Sequence, residues 1–410
     1  MKLTILICRL IIAITFIFSG FVKAIDPVGF AIKMDEYLLA FHMEWFTKIT
    51  LPLAILLISI EFLLGFYLLI GFYVRKMIPL IILVMSGFTL LTLYSAIFNP
   101  VSDCGCFGDA VKLTNWETFW KNVILMAPTL GLFYYRKKFN ELWSKKIGTI
   151  SSAVLGLVFI VGLCVYSYNN LPIIDFRPYK IGTHISSDMK FHENAEQPEY
   201  ETTFIMEKNG EIMFFSLENY PWDDTTYVFI DTETRIINEG YTPPLQNFMV
   251  TNIDFEDVTS DIVERNGAVF LMISHNLKKA NKSSIKNFVN LSEIAKQKNI
   301  PFYCITSSDY TTAEIFANEH NAWFDYLQCD ETTLKTIVRS NPALLLLHDG
   351  IIVGKWHFKN FPEKKILNNP LSYSMKELKN KNKTLIIWIN IFLILVSINT
   401  LIINRIRLKR

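Results

Sequence analysis

Charge is what this 410-residue chain has little of. Charged residues make up 19% against 51% hydrophobic, too apolar for an ordinary soluble protein. A formal net charge of +2 provides no large field to gather nucleic acid, so that class of partner is excluded. Neither an internal repeat nor a low-complexity tract is present, which excludes a repeat array. Cysteine is scarce, with six in all, yet two of the six stand one residue apart in Asp103-Cys104-Gly105-Cys106-Phe107-Gly108-Asp109-Ala110. No histidine lies near them in sequence. A metal site would have only Asp103 and Asp109 to add as ligands, which leaves the metal reading weak.

The apolar residues are concentrated rather than spread. Stretches 3–22, 49–74, 77–98, 116–135 and 149–168, and a sixth at 385–403, are each long enough for a bilayer, which takes about 20 apolar residues. The first is read as a retained helix rather than a cleaved leader, because further spans follow closely and Arg9 falls inside it. Basic residues orient the set. Arg75 and Lys76, then Arg136, Lys137, Lys138, Lys145 and Lys146, then Arg405, Arg407, Lys409 and Arg410 fall on one side when the N-terminus is inside, as the positive-inside rule asks. Lys376, Lys379, Lys381 and Lys383 run against it. The cysteine loop and residues from about 169 to 383 are then expected outside, the periplasmic side of a bacterial inner membrane. Thr114 and Glu117 form a capping-box pattern at the start of the fourth span.

The segment between spans five and six reads as soluble α/β. Residues 201–230 predict a small β-meander with a turn at Asn209-Gly210. Strands are expected at 268–273, 301–306 and 322–327, alternating with helices at 283–298, 312–321 and 331–339. A hairpin at 343–347 and 351–356 turns around Asp349-Gly350. Such alternation implies a mainly parallel sheet closed by an antiparallel hairpin. The expected division is 1–140 for a four-helix membrane domain, 141–170 for a fifth span, 171–240 for a small β-rich region, 241–370 for the α/β domain and 384–404 for a last span.

Cys104 and Cys106 are the candidate redox pair. Gly105 can bend to bring them within disulfide reach, and so small a ring should exchange readily. The alternative is a turn, or a bridge that only staples the loop. Cys8 and Cys164 read as apolar packing, with Cys164 near enough to the outer end of its span to approach the loop. Cys304 reads as core, and a bridge to Cys329 is left open. Arg9 and Glu61 both fall inside spans, where a lone charge is costly, and are expected to form an intramembrane ion pair.

Three groups of residues resemble one family. Phe18-Ser19-Gly20-Phe21-Val22-Lys23, Glu61-Phe62-Leu63-Leu64-Gly65 and Asp103-Cys104-Gly105-Cys106-Phe107-Gly108 look like the DoxX/MauE group of four-helix membrane proteins, over roughly the first 135 residues. The Cys-Gly-Cys-Phe-Gly piece points to the MauE side. That resemblance implies a link to methylamine utilisation clusters and to maturation of a disulfide-rich subunit. On the DoxX side it implies quinone-coupled oxidation, so a quinone is the one cofactor suggested. Residues 243–248, the strand at 268–273, and Ser340-Asn341-Pro342-Ala343 before the hairpin resemble a thioredoxin-like domain, with Pro342 as the expected cis-proline. The fold class implied is a membrane all-α helical bundle carrying an external thioredoxin-like α/β domain. The departure is plain: the turn that holds Cys-x-x-C in thioredoxins reads Ser274-His275-Asn276-Leu277-Lys278-Lys279. His275 reads as a solvated turn residue.

Three functions stay open at this point. One is thiol–disulfide exchange or maturation of an exported client through the Cys104/Cys106 loop. Another is a non-catalytic scaffold whose thioredoxin-like domain holds a partner. The third is a small-molecule carrier, for which no broken-helix pattern is visible. The lipid bilayer and a client or redox partner are the expected partners.

Overall fold

The computed structural model of the protein describes residues 2–101, 103–139, 146–191, 199–208, 210–238, 240–245 and 248–380, with residue 196 and scattered positions between 383 and 397. The chain opens with helices α1 (Lys2–Ile25), α2 (Pro27–Ala40), α3 (Thr50–Ile70), α4 (Val74–Phe98), α5 (Asn115–Tyr134) and α6 (Lys146–Asn169). Among the described residues, four helical segments are long and apolar enough to cross a membrane: Leu3–Ile25, Glu44–Ile70, Val74–Phe98 and Ser151–Asn169. The chain is thus a multi-pass membrane protein. The stretch expected as a fourth span is α5, and it is not one of those four. Glu117 and Lys121 dilute its apolarity, yet it packs along α1 and α4 inside the bundle. Most of the sixth expected span, 385–403, lies outside the described residues.

Two glycines set the bundle's central crossing. A Cβ on Gly20 would meet Phe62 at 2.8 Å, and one on Gly65 would meet the Ile17 nitrogen at 2.7 Å. Small residues at such a crossing let two helix backbones approach closely. α1 and α3 therefore lie antiparallel, with Gly20 against Phe62 and Gly65 against the stretch from Ala13 to Ile17. This register decides which charges meet. The short helix α2 was not foreseen. Asp26 caps it, accepting from the Gly29 N–H at 2.8 Å, and Pro27 opens its first turn, an arrangement suited to a helix start.

Beyond α6 the soluble part begins with α7 (Ile185–Met189) and a three-stranded sheet of β1 (Glu199–Lys208), β2 (Glu211–Ser216) and β3 (Val228–Asn238). Its order is β2-β1-β3. The expected meander is corrected here, because β3 returns to pair with β1 rather than β2. The connection at 217–227 is long enough to carry the chain across, whereas a meander needs only a tight turn.

The larger unit comprises α8 (Thr259–Val263), β4 (Ala268–Ser274), α9 (Ile285–Gln297), β5 (Phe302–Thr306), α10 (Tyr310–His320), β6 (Asp325–Gln328), α11 (Glu331–Ile337), β7 (Ala343–His348) and β8 (Ile351–His357). The sheet order is β6-β5-β4-β7-β8, with β4, β5 and β6 parallel and β7 and β8 antiparallel. Both faces are covered, so alternate residues of β4 enter different cores: Leu271 and Ile273 on one side, Phe270 and Met272 on the other. A strand buried on both faces must read as a nearly unbroken apolar run, as 268–273 does. The order, the helices and the cis peptide at Asn341–Pro342 make this a thioredoxin-like domain.

A strap of residues joins it to the bundle. Asp175 takes Arg177 Nε at 2.8 Å and Lys355 Nζ at 2.7 Å, and Lys355 also donates to the carbonyls of Tyr179 and Ile337. Asn169 and Asn170, at the end of α6, bond to Lys359 and Asn360.

Candidate functional site

The cysteine loop is held at both ends. Asn99 ends α4 in a left-handed conformation, and Asn115 Nδ2 donates to Asn99 Oδ1 at 2.8 Å and to the Val101 carbonyl at 2.9 Å. At the far end the capping box is complete: Thr114 Oγ1 accepts from the Glu117 N–H, and Glu117 Oε2 accepts from the Thr114 N–H at 2.8 Å. Between them the chain turns at Gly105, whose φ of +66° is costly for any residue with a Cβ. The Gly108 N–H closes the turn on the Gly105 carbonyl at 3.1 Å. The turn brings the two thiols together, with Cys104 Sγ and Cys106 Sγ 3.3 Å apart. Both are free cysteines.

Their surroundings differ. Ser19 on α1 donates to the Cys106 carbonyl at 2.6 Å. Cys106 lines a small pocket inside the bundle with Lys23, Glu61, Phe88, Lys121 and Asn122. The Cys104 thiol's hydrogen bond lowers the Cys106 pKa to about 6; burial opposes this, and the positive charges of Lys121 and Lys23 assist. Cys104 is buried, and the same hydrogen bond, with burial, drives its pKa upward; the Tyr37 hydroxyl donates toward it. One sulfur is thus favoured as thiolate and the other as thiol.

The ion pair expected between Arg9 and Glu61 is not formed. Glu61 Oε2 instead meets Lys23 Nζ at 2.7 Å, with side chains 9% and 3% exposed. Arg9 donates to the carbonyls of Leu68 and Leu69 at 2.7 and 2.9 Å. The glycine-set register explains the difference. Antiparallel packing carries the start of α1 to the end of α3, where bare carbonyls accept the guanidinium. The end of α1, with Lys23, comes to the level of Glu61. Lys23 Nζ also lies 5.0 Å from the Phe30 ring centroid and 5.5 Å from that of Phe88.

The thioredoxin-like domain sits over this loop. Arg339, three residues before Pro342, reaches Asp26 Oδ2 with its Nε at 2.9 Å and Asp109 Oδ2 with Nη2 at 3.7 Å. Burial opposes ionisation of Asp26, but Arg339 and Arg177 outweigh it and hold its pKa below the ordinary carboxylate value. Lys33 bridges Asp103 at 2.7 Å and Glu36 at 2.9 Å. The carboxylates of Asp103 and Asp109 thus face cations. A cavity of about 460 Å³ lies between the two parts, its walls including Gly105, Lys33, Arg177, Lys335 and Arg339.

Other sequence-based expectations are placed as follows. His275 is not solvated: its side chain is 17% exposed, 3.9 Å from Glu331, and burial, then Lys335, lower its pKa to about 4. The Asn341 carbonyl, next to the cis-proline, is occupied by the Asn281 N–H at 3.0 Å. Cys304 and Cys329 belong to the cores on opposite faces of the sheet, which removes the bridge left open between them. Cys164 packs with Ala24, Ile58 and Phe62. Sequence reasoning missed Lys23, Tyr37, Lys121 and Arg339. For Lys23 a signal existed, since it closes the motif that begins at Phe18.

Residues 1–135 match the family described as methylamine utilisation protein MauE. Residues 200–239, which span most of the three-stranded sheet, match a domain of unknown function, DUF8463. A curated bacterial protein, Protein TlpB of Flavobacterium psychrophilum, is 31% identical over 143 residues, which is 32% of this chain and 37% of that relative. The chain therefore spans little more than a third of the length of the curated relative it matches. The first 135 residues, with their glycine-crossed helices and Cys-Gly-Cys loop, thus form a MauE-like membrane region, and a thioredoxin-like domain follows in the same chain.

Proposed function

We propose that the protein exchanges thiols and disulfides through Cys104 and Cys106, forming disulfides in an exported client on the periplasmic side of a bacterial inner membrane. The observation that carries this reading is the pair itself: two sulfurs 3.3 Å apart in a glycine-hinged loop, in unequal environments. The basic clusters of the sequence support the sidedness, through the positive-inside rule.

The chemistry follows from the inequality. In the oxidised protein a client thiolate attacks Cys104, the Cys104–Cys106 bond breaks, and Cys106 leaves as the thiolate. The sulfur with the lower pKa is the better leaving group. A second client thiolate then attacks the client sulfur of the mixed disulfide and releases Cys104, which takes up a proton. The client has lost two electrons and two protons. Reoxidation needs a two-electron acceptor, and we assign a quinone to that role. A quinone, when bound beside the bundle, would supply the two-electron oxidation, and Cys106, Lys23 and Lys121, which line the small pocket there, are the residues that would face it. The thioredoxin-like domain contributes no cysteine at its Ser274–Lys279 turn and acts by covering and uncovering the loop.

Trapping tests this. Cys106→Ser removes the sulfur that would resolve a mixed disulfide on Cys104; offered a client whose disulfide is already formed, the Cys104 thiolate attacks that bond, one client sulfur leaves as thiolate, and the adduct should accumulate as a reductant-sensitive band on gels. With neither single-cysteine variant forming an adduct, the exchange reading falls. The favoured account is then a scaffold, in which the Arg339 contacts hold the soluble domain in place for a non-covalent partner.

A further inference from the structure

Among the described residues the bundle holds a buried ion pair whose position the family match and the exchange reading leave unexplained. Lys23 and Glu61 meet at 2.7 Å, nearly water-free. A buried pair on stability grounds alone is a poor investment, since desolvation largely cancels the attraction. Its location supplies a reason. Lys23 lies one helical turn beyond Ser19, which donates to the Cys106 carbonyl, and Lys23, Glu61 and Cys106 line the same pocket. The groups around Cys106 come from five helices and the loop itself. α1 offers Lys23, α2 offers Lys33 and Tyr37, α3 offers Glu61 and α5 offers Lys121, while α4 offers Met85 and Phe88. The loop itself carries Asp103 and Cys104. Lys33 is engaged by Asp103 and Glu36, and Lys121, over the Phe107 ring at 4.3 Å, is a second cation facing Cys106.

We propose that Lys23, fixed by Glu61 and the Phe30 and Phe88 rings, is a positioning residue that supplies, beside Lys121, a fixed positive charge facing the Cys106 sulfur. This rests on the exchange reading. Glu61 holds the ammonium in place at 2.7 Å inside the bundle. Ser19 holds the loop so that the sulfur stays on the same side as the ammonium. The negative charge that appears on Cys106 when the bridge opens then forms beside a cation already in place, at no cost of reorganisation. Lys23 touches no client and is not itself a catalytic residue.

The test reads the ionisation of Cys106 rather than turnover. In a Cys104→Ser background, which keeps a hydroxyl donor beside Cys106, the rate of Cys106 alkylation is followed against pH in native membranes. Lys23→Met/Glu61→Gln removes the cation together with the carboxylate that partly offsets it, and should move the midpoint up by about one pH unit, which from a parent midpoint near 6 slows alkylation near pH 6.5 about threefold. Lys23→Arg keeps the charge and should stay within about half a unit of the parent. Lys121→Met removes the other cation facing Cys106 and should raise the midpoint as well. An unchanged midpoint in the double variant, or a full-unit rise in Lys23→Arg, overturns the proposal. A parent midpoint already near that of a free thiol, about 8.5, would instead overturn the exchange reading together with this one. A low parent midpoint that Lys23 variants leave in place defeats this proposal alone.

Discussion

The membrane bundle and the thioredoxin-like domain divide between them what a thioredoxin keeps in one place. The bundle has the Cys-Gly-Cys pair, on a loop pinned by Asn115, Ser19 and the Thr114–Glu117 box, but no sheet among the described residues. The soluble domain keeps the sheet and the cis bond at Pro342, yet its turn at Ser274–Lys279 has no sulfur. Its Asn341 carbonyl is already bonded to Asn281. On the exchange reading proposed above, the difference teaches that a fold can retain its frame while the chemistry moves to a neighbour, provided the two are held together. Here Arg339 does the holding, through Asp26 and Asp109.

The largest expected effect separates the two parts outright. Cys104→Ser and Cys106→Ser should each abolish disulfide formation in a client, to background, while removing Cys304 and Cys329 should leave it within twofold. Loss of activity on removing the domain's own cysteines would erase the division of labour.

A large effect on stability should follow from Glu61→Ala, which strands the Lys23 ammonium in the bundle and should cost about 3–5 kcal/mol, read as loss of accumulation or of thermal stability in detergent. Arg9→Gln should cost less, since it exposes two helix-end carbonyls and no charge. A double-mutant cycle should find coupling between Lys23 and Glu61 and none between Arg9 and Glu61; coupling in the second pair would contradict the register set by Gly20 and Gly65.

How much of this was legible beforehand differs between the parts. The strands and helices of the thioredoxin-like domain could be read because a sheet buried on both faces imposes apolar runs, and helices impose their own period. The capping box at Thr114 was visible because a cap is a local matter. What could not be read depends on register between distant elements. The partner of Glu61 was mistaken because two apolar helices offer no periodic signal for how far one slides along the other. Gly20 and Gly65 decide that, and they move Lys23 into place of Arg9. The order β2-β1-β3 was missed because a long connection permits either neighbour. Arg339, more than 300 positions from Asp26, carries no sequence mark of its role.

A smaller effect tests the contact between the parts. Arg339→Ala should leave both parts folded, and should raise Cys104 alkylation several-fold by loosening the domain that covers the loop. No change would mean that the contact does not limit access. Smallest of all, His275→Ala should alter client oxidation by less than twofold, because its ring lies buried beside Glu331 and carries no step of the exchange. A tenfold loss would return chemistry to the soluble domain.

The most direct test of the central claim is a redox titration of Cys104 and Cys106 in native membranes, with alkylation mass-tagging to count free thiols. The account predicts a pair that passes reversibly between dithiol and disulfide at a potential well above about −300 mV, the range below which structural bridges usually lie. A pair that stays fully reduced in those membranes, or a bridge that no mild reductant opens, would contradict it and leave the Cys-Gly-Cys turn a structural element.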